Sequence, residues 1–259
     1  MKNLSLLIFI PLLVAFTGET VTPPSSKYKP IVLDDSYEHL KWGVSPTDLV
    51  YNFAAYTTSF DSDDDDNGDG VSDIWGIPEW VSYEIKAETG RKRSGYNRPS
   101  PWLTDDKQYE AGIVPNDGTY YVKGTSSLNG VKGNYRFVRG HMCAKDAADR
   151  LSDDAGYNTH TTLNCVPQLQ WQNNGVWKDL EKKCTGYAET YERVWVVCGP
   201  VFFNKNPEMW LGQRENVKAA IPDALFKIVI REDSKSESGI STMAFIFPNI
   251  IPIAKKDIA

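Results

Sequence analysis

Positive charge, cysteine, histidine and long apolar runs are all scarce in this 259-residue chain. Its 28 Lys and Arg stand against 34 Asp and Glu, a formal net charge of -6. A bulk attraction for polyanions is therefore excluded, because phosphate binding draws its affinity from Lys and Arg, and any such partner has to be met by local basic residues. One mostly apolar stretch, Leu4 to Phe16, follows Met1-Lys2-Asn3. It is too short to cross the ~30 Å hydrocarbon core of a bilayer as a helix and reads as an export signal, so the mature protein is expected in a periplasm or outside the cell. No small-x-small triplet marks the cut, which falls between Ala15 and Glu19. No later segment is apolar enough to hold the chain in a membrane. The expected organisation is a signal over 1–18, a lead segment over 19–41 and one domain over 42–259. The cysteines are Cys143, Cys165, Cys184 and Cys198. An even number in an exported chain predicts two disulfides of open connectivity; the competing reading is free thiols packed as small hydrophobes. Of the three histidines, His39 and His160 read as ordinary structural residues, whereas His141 is set apart by its neighbours.

With 41% hydrophobic and 24% charged residues, the composition supports an ordinary globular core. The negative charge is concentrated: seven aspartates lie between Asp61 and Asp73, and without them the body is near neutral. They are flanked by the strand-like runs Tyr51–Phe60 and Ile77–Ile85, which makes 61–76 the loop of a long hairpin. Within it, Asp65, Asn67, Asp69, Val71 (through its carbonyl) and Asp73 fall at the ligand positions of an EF-hand-type loop, with Gly70 at the sharp turn. The twelfth position is Gly76 rather than an acid. Structural Ca²⁺ and a solvated acidic loop that discourages edge pairing both remain open.

Strand patterns recur at Asn134–Val138, Thr161–Val166 with Pro167 expected to stop it, Arg193–Pro200, Leu225–Ile230 and Met243–Phe247. Trp171–Thr190 carries helical spacing, and Ala144–Leu151 fits a short helix. The fold class is α+β, a mainly antiparallel sheet with helices packed on it. The segment Arg91-Lys92-Arg93 with Arg98 is a local basic cluster.

Chemistry-bearing residues gather between 139 and 181. Arg139-Gly140-His141 sits at the end of a strand, and Asn173, Trp177 and Glu181 follow on the helix. A histidine can take a proton from water near neutral pH, amide and carboxylate oxygens suit a hard cation, and an arginine can hold a phosphate. That set answers the needs of phosphodiester hydrolysis.

The order of these elements resembles the DNA/RNA non-specific endonucleases of the ββα-metal (His-Me finger) superfamily, to which endonuclease G also belongs. Arg139-Gly140-His141 is similar to the end of the family's Asp-Arg-Gly-His motif, with Val138 in place of the aspartate. Asn164-Cys165-Val166-Pro167-Gln168 resembles its Asn-x-x-Pro-Gln element, and Asn173-x-x-x-Trp177-x-x-Leu180-Glu181 its metal-ligand helix. The likeness extends from about Trp42 to Pro248. It implies that His141 is the general base and that Asn173 is the one direct protein ligand of Mg²⁺, a site that can also accept Mn²⁺. It further implies that Glu181 orients the surrounding waters, Arg139 clamps phosphate, Asn164 orients the site and Arg98 stabilises the transition state. The implied substrates are DNA and RNA, single- or double-stranded, cut to leave 5′-phosphate ends. Two other readings stand beside this one: a Ca²⁺-dependent nucleic-acid-binding or adhesion module on a degenerate nuclease scaffold, and a secreted toxin held by a protein inhibitor. Against the toxin reading, the chain shows no separate receptor or translocation region.

Overall fold

The computed structural model describes residues 19–21, 27–44, 49–63, 65, 68, 70, 72–88, 90–120, 136–213 and 216–250. The export signal lies outside them, as do Asn67, Asp69 and Val71 of the acidic loop. In chain order the elements are β1 Glu19–Val21, β2 Leu49–Asn52, β3 Thr57–Phe60, β4 Val81–Lys86, α1 Asp106–Glu110, β5 Phe137–His141, α2 Lys145–Asp149, α3 Asp153–Asn158, β6 Cys165–Leu169, α4 Gln170–Gln172, α5 Lys178–Tyr191, β7 Arg193–Val201, β8 Trp210–Leu211, β9 Ala219–Ala220, β10 Ala224–Glu232 and β11 Ile240–Pro248.

Seven strands form one sheet in the order β1-β2-β3-β4-β7-β10-β11. All neighbours are antiparallel except β1, which joins β2 in parallel. The centre is the β4–β7 pair, registered Val81 to Cys198. Val81, Tyr83, Ile85, Val194 and Val196 are buried there, and the long amphipathic α5 covers the same strands. β3 and β4 pair across the acidic segment, which is the hairpin loop expected of it. The lead segment does not stand apart. The Tyr28 hydroxyl lies 2.8 Å from Thr161 Oγ1, and Lys29 N–H donates to Asn158 Oδ1 at 2.9 Å, stitching it onto the domain.

Three expectations are corrected. Tyr51–Phe60 is two strands, because the chain reverses at Phe53–Tyr56, where Phe53 N–H donates to Tyr56 C=O at 2.8 Å and the two rings stack at 4.4 Å. The turn is buried, so its apolar residues look like continued strand. Pro167 sits inside β6 rather than ending it. Among the described residues β6 pairs with β5 alone, so a residue without an N–H is tolerated on its other edge. All four cysteines are free and buried, so the expected disulfides are absent. They pack as small core residues on separate elements, and Cys198 donates its thiol to Met142 C=O at 3.4 Å. Burial pushes the Cys165 and Cys198 thiols up to about 12 and keeps them protonated.

The β5–β6 ribbon docks on the main sheet through one buried amide. Asn249, just past β11, accepts from Leu169 N–H at 2.9 Å and donates to Pro167 C=O at 3.0 Å and Pro222 C=O at 2.9 Å. The end of the C-terminal strand thereby holds the ribbon that carries His141.

Candidate active site

β5 and β6 run antiparallel with His141 opposite Cys165, and β6 leads straight into a bent helix, giving a strand-strand-helix unit. The bend is a π-helical turn at Asn173–Trp177, in which Gly175 leaves helical geometry (φ -102°, ψ -114°). Local widening of this kind recurs at functional positions. Asn173 lines an open cleft, and Glu181 Oε1 lies 4.0 Å from Lys227 Nζ of β10.

The cleft has a volume of about 420 Å³ and brings together Arg98, Arg139, His141 and Asn173 with Ser100, Trp102 and Asp117. His141 is partly exposed, with Nε2 buried and without a hydrogen-bond partner. Its ring lies 4.7 Å from Trp102 and 5.0 Å, edge to face, from His160. Burial, then His160 and the positive charges of Arg98, Arg139 and Lys145, hold its pKa well below 6.5, so the imidazole is neutral at pH 7. Trp177 Nε1–H donates to the His141 carbonyl at 3.1 Å, tying the end of β5 to the helix of Asn173.

Arg139 is ion-paired with Asp117 and lies 4.6 Å over the Trp102 ring. Asp117 comes from a 3₁₀ turn at Asp117–Tyr120, while the residue before Arg139, Val138, carries no charge. Arg98 is exposed at the rim and has no acidic partner among the described residues. Of the rest of the basic cluster, Arg91 is held by Asp153 at 2.8 Å, and Arg93 by Asp146 at 2.7 Å and Glu88 at 3.0 Å. Those two fasten a loop onto α2 and α3 and are not free for phosphate.

Asn164 is fully buried and fully used. Its amide donates to Cys143 C=O at 3.0 Å and Thr159 C=O at 3.1 Å and accepts from Cys143 N–H at 2.8 Å. It pins the turn directly after His141 and does not face the cleft. Gly140 is required by a different contact, since a Cβ there would be driven into the Gln168 side chain. Gln168 cannot retreat, because its amide donates to Gln172 Oε1 at 2.9 Å and Gln172 in turn donates to the carbonyls of Phe247 and Pro248, both at 3.0 Å. Gly140→Ala is expected to cost about 1–3 kcal/mol by overpacking, read as a lower urea midpoint with an unchanged slope.

Behind the cleft, Lys227 of β10 is completely buried, with no hydrogen bond to its ammonium among the described residues. That group lies 3.8 Å over the Trp177 ring and 4.0 Å from Glu181 Oε1. Burial pushes the Glu181 carboxyl up, and Lys227 acts against the shift.

The other two histidines are neutral for structural reasons. His39 Nδ1 accepts from Glu84 N–H at 3.1 Å, so its proton is on Nε2, directed to Ala54 C=O at 3.2 Å. His160 Nδ1 lies 3.2 Å from Tyr157 C=O, so it carries the proton. Burial depresses both to about 4. A histidine with a depressed folded pKa stabilises fully above its unfolded value near 6.5, and that stability drains as pH falls toward 4. Each is expected to lose on the order of 2 kcal/mol by pH 5, visible as a falling Tm between pH 7 and 5 that His39→Gln reduces.

A hard cation fits the cleft by donor chemistry. The Asn173 amide has no hydrogen-bond partner among the described residues, and its neighbours offer oxygen rather than sulfur, which suits Mg²⁺, an ion that keeps most of its waters. No cluster of three or more His, Cys, Asp or Glu able to hold a metal occurs among the described residues. In the acidic loop, Asp65 Oδ2 accepts from Gly70 N–H at 2.8 Å, while Asp73 lies by a separate pocket with Trp75. Asp117, Trp102, His160 and Lys227 were not singled out by sequence; Asp117, Trp102 and Lys227 lie outside Arg139–Glu181, His160 lies within it, and no local pattern marks any of them.

The sequence profile of the DNA/RNA non-specific endonucleases matches residues 71–257, most of the chain. The chain belongs to that family. It is 30% identical over 119 residues to the mitochondrial nuclease EXOG of Danio rerio, covering 43% of this chain and 34% of that protein. It is 31% identical over 178 residues to mitochondrial endonuclease G of Bos taurus, covering 66% of this chain and 53% of that protein. The matches thus span about a third to half of these relatives. The fold is that of endonuclease G in the crystal structure of its complex with the inhibitor EndoGI, with a TM-score of 0.61 and 22% identity over 82% of this chain and 78% of that one.

Proposed function

We propose that the protein is an exported endonuclease that hydrolyses phosphodiester bonds of DNA and RNA with a single Mg²⁺, or Mn²⁺ in its place. The carrying observation is the cleft itself, where a partly exposed neutral imidazole, two arginines and an unpartnered amide oxygen converge. Asn173 would hold the cation, which when bound supplies positive charge to the phosphate and to the leaving oxygen. His141 accepts a proton from the attacking water, whose oxygen bonds to phosphorus as the bond to O3′ breaks, leaving a 5′-phosphate and a 3′-hydroxyl. Arg139, braced by Asp117, and Arg98 meet the charge on the phosphoryl oxygens. Asn164 acts by fixing the turn after His141, and Glu181 by fixing the far side of the metal helix through Trp177 and Lys227. The DNA/RNA partner class supports neither strand form over the other, and a protein inhibitor like that of endonuclease G is compatible with an open cleft.

Purified mature protein should nick plasmid and degrade RNA in Mg²⁺ and stop in EDTA, with 5′-phosphates that a ligase joins directly. Cleavage that persists in EDTA, or 3′-phosphate products, contradicts the reading. Export is checked separately by N-terminal sequencing of protein recovered outside the cytoplasm, which should begin between Phe16 and Thr20.

A further inference from the structure

A groove of about 650 Å³ lies beside the catalytic cleft. The two share Pro99, Ser100, Trp102 and Asp117, so they adjoin, with the Trp102 indole common to both. On the cleft side that indole carries the Arg139 guanidinium at 4.6 Å and the His141 ring at 4.7 Å. Beyond it the groove is lined by Leu103, Tyr109 and Tyr157.

The charges at its edge are already spent. Lys27 pairs with Asp106 at 2.6 Å, and Asp117 pairs with Arg139. Lys27 is the one cation among the groove's lining residues, so none of these is left unpaired to seat a phosphate, and the unpaired Arg98 belongs to the cleft. Flat aromatic and apolar walls around a neutral interior suit a planar, neutral, stackable group. Such a group, tethered to a phosphate held on the other side of Trp102, is the base of the adjoining nucleotide.

We infer that this groove is a nucleobase subsite, occupied by the unpaired base next to the cut. This rests on the proposed nuclease function and deepens it, because the groove then sets a substrate preference. A base inside a duplex presents only its edges and must be unstacked and unpaired to enter, at a cost of a few kcal/mol. A base of a single strand enters freely. The enzyme therefore favours single-stranded DNA and RNA, and duplex where it frays or is mismatched.

The test uses Tyr109, which lines the groove but not the catalytic cleft. Values of kcat/KM are measured for wild type, Tyr109→Ala and Tyr109→Phe on a single-stranded tetranucleotide, on the same tetranucleotide with abasic sugars, and on bis(p-nitrophenyl) phosphate, which is too small to span both spaces. The tetranucleotide-to-diester ratio should fall about tenfold in Tyr109→Ala and hold in Tyr109→Phe, in keeping with the loss of one base-stacking contact. Abasic substrate should lower the wild type to the level of Tyr109→Ala and leave the variant unchanged. An unaltered ratio, or an equal loss on natural and abasic substrates, overturns the subsite while leaving the nuclease function standing. If the wild type cleaves nothing, it is the nuclease function that fails; tetranucleotide binding by fluorescence anisotropy in Ca²⁺ then reads the groove directly, and equal affinity in wild type and Tyr109→Ala overturns it.

Discussion

His141→Ala should cut plasmid DNA about 10²–10⁴-fold more slowly than the wild type at saturating Mg²⁺ and pH 7.5. The expectation rests on the ring's position in the cleft with Arg98, Arg139 and Asn173, and on its neutrality at that pH. Folding should survive, because the structural hydrogen bond at this residue runs from Trp177 to the backbone carbonyl, which alanine keeps. The loss should therefore appear in kcat with little change in Tm. The depressed pKa adds a second signature: the wild-type rate should stay on its plateau below pH 6.5 and turn down only under more acidic conditions. A break at or above pH 7 would show that some other group is the base.

Lys227→Met has the second largest expected effect, and it falls on stability and activity together. Methionine keeps the length of the stem but removes the charge that offsets buried Glu181. Breaking one side of a buried pair costs about 3 kcal/mol, and the cost should depend on pH in a defined direction. Glu181 already binds its proton more tightly in the folded state than a free glutamate does, and losing Lys227 strengthens that tendency. At pH 7 the variant must either hold an uncompensated carboxylate or take up a proton. Near pH 5 it is protonated at little cost. The gap in unfolding free energy between wild type and variant should thus be widest at pH 7 and close toward pH 5. Adding Glu181→Gln should restore most of the stability but not the activity, a coupling that a double-mutant cycle reads directly. A pH-independent gap would mean that Lys227 matters only through packing.

The parts of the site closest together in sequence were the legible ones. Arg139 and His141 on β5 and Asn173 on the helix that follows β6 come to one cleft, and their order along the chain carries the geometry of a local unit. What lay outside that unit was hidden because tertiary contacts, not spacing, create it. Val138 showed that an acid was missing but not that Arg139 would pair with Asp117 from a turn some twenty residues upstream. His160 read as an ordinary histidine and lies against His141 because α3 brings it there. The bend at Gly175 was hidden too, because a Gly in a helical pattern does not announce a π turn. The cysteines misled for a related reason: their even number suggested pairing, and only the fold shows each one packed separately in the core. Fold class was more secure, since strands such as Arg193–Val201 and Ala224–Glu232 carry long β-branched and aromatic runs, whereas β2 and β3 merged because their connecting turn is as apolar as they are.

The most direct test of the central claim is the Mg²⁺ dependence of plasmid cleavage by Asn173→Ala set beside that of the wild type. If the cleft holds the cation through this one amide, the variant should need at least tenfold more Mg²⁺ for half-maximal rate, or fail to recover at any concentration, while its Tm stays unchanged. Identical Mg²⁺ curves for the two proteins would show that the cation binds elsewhere and would contradict the account.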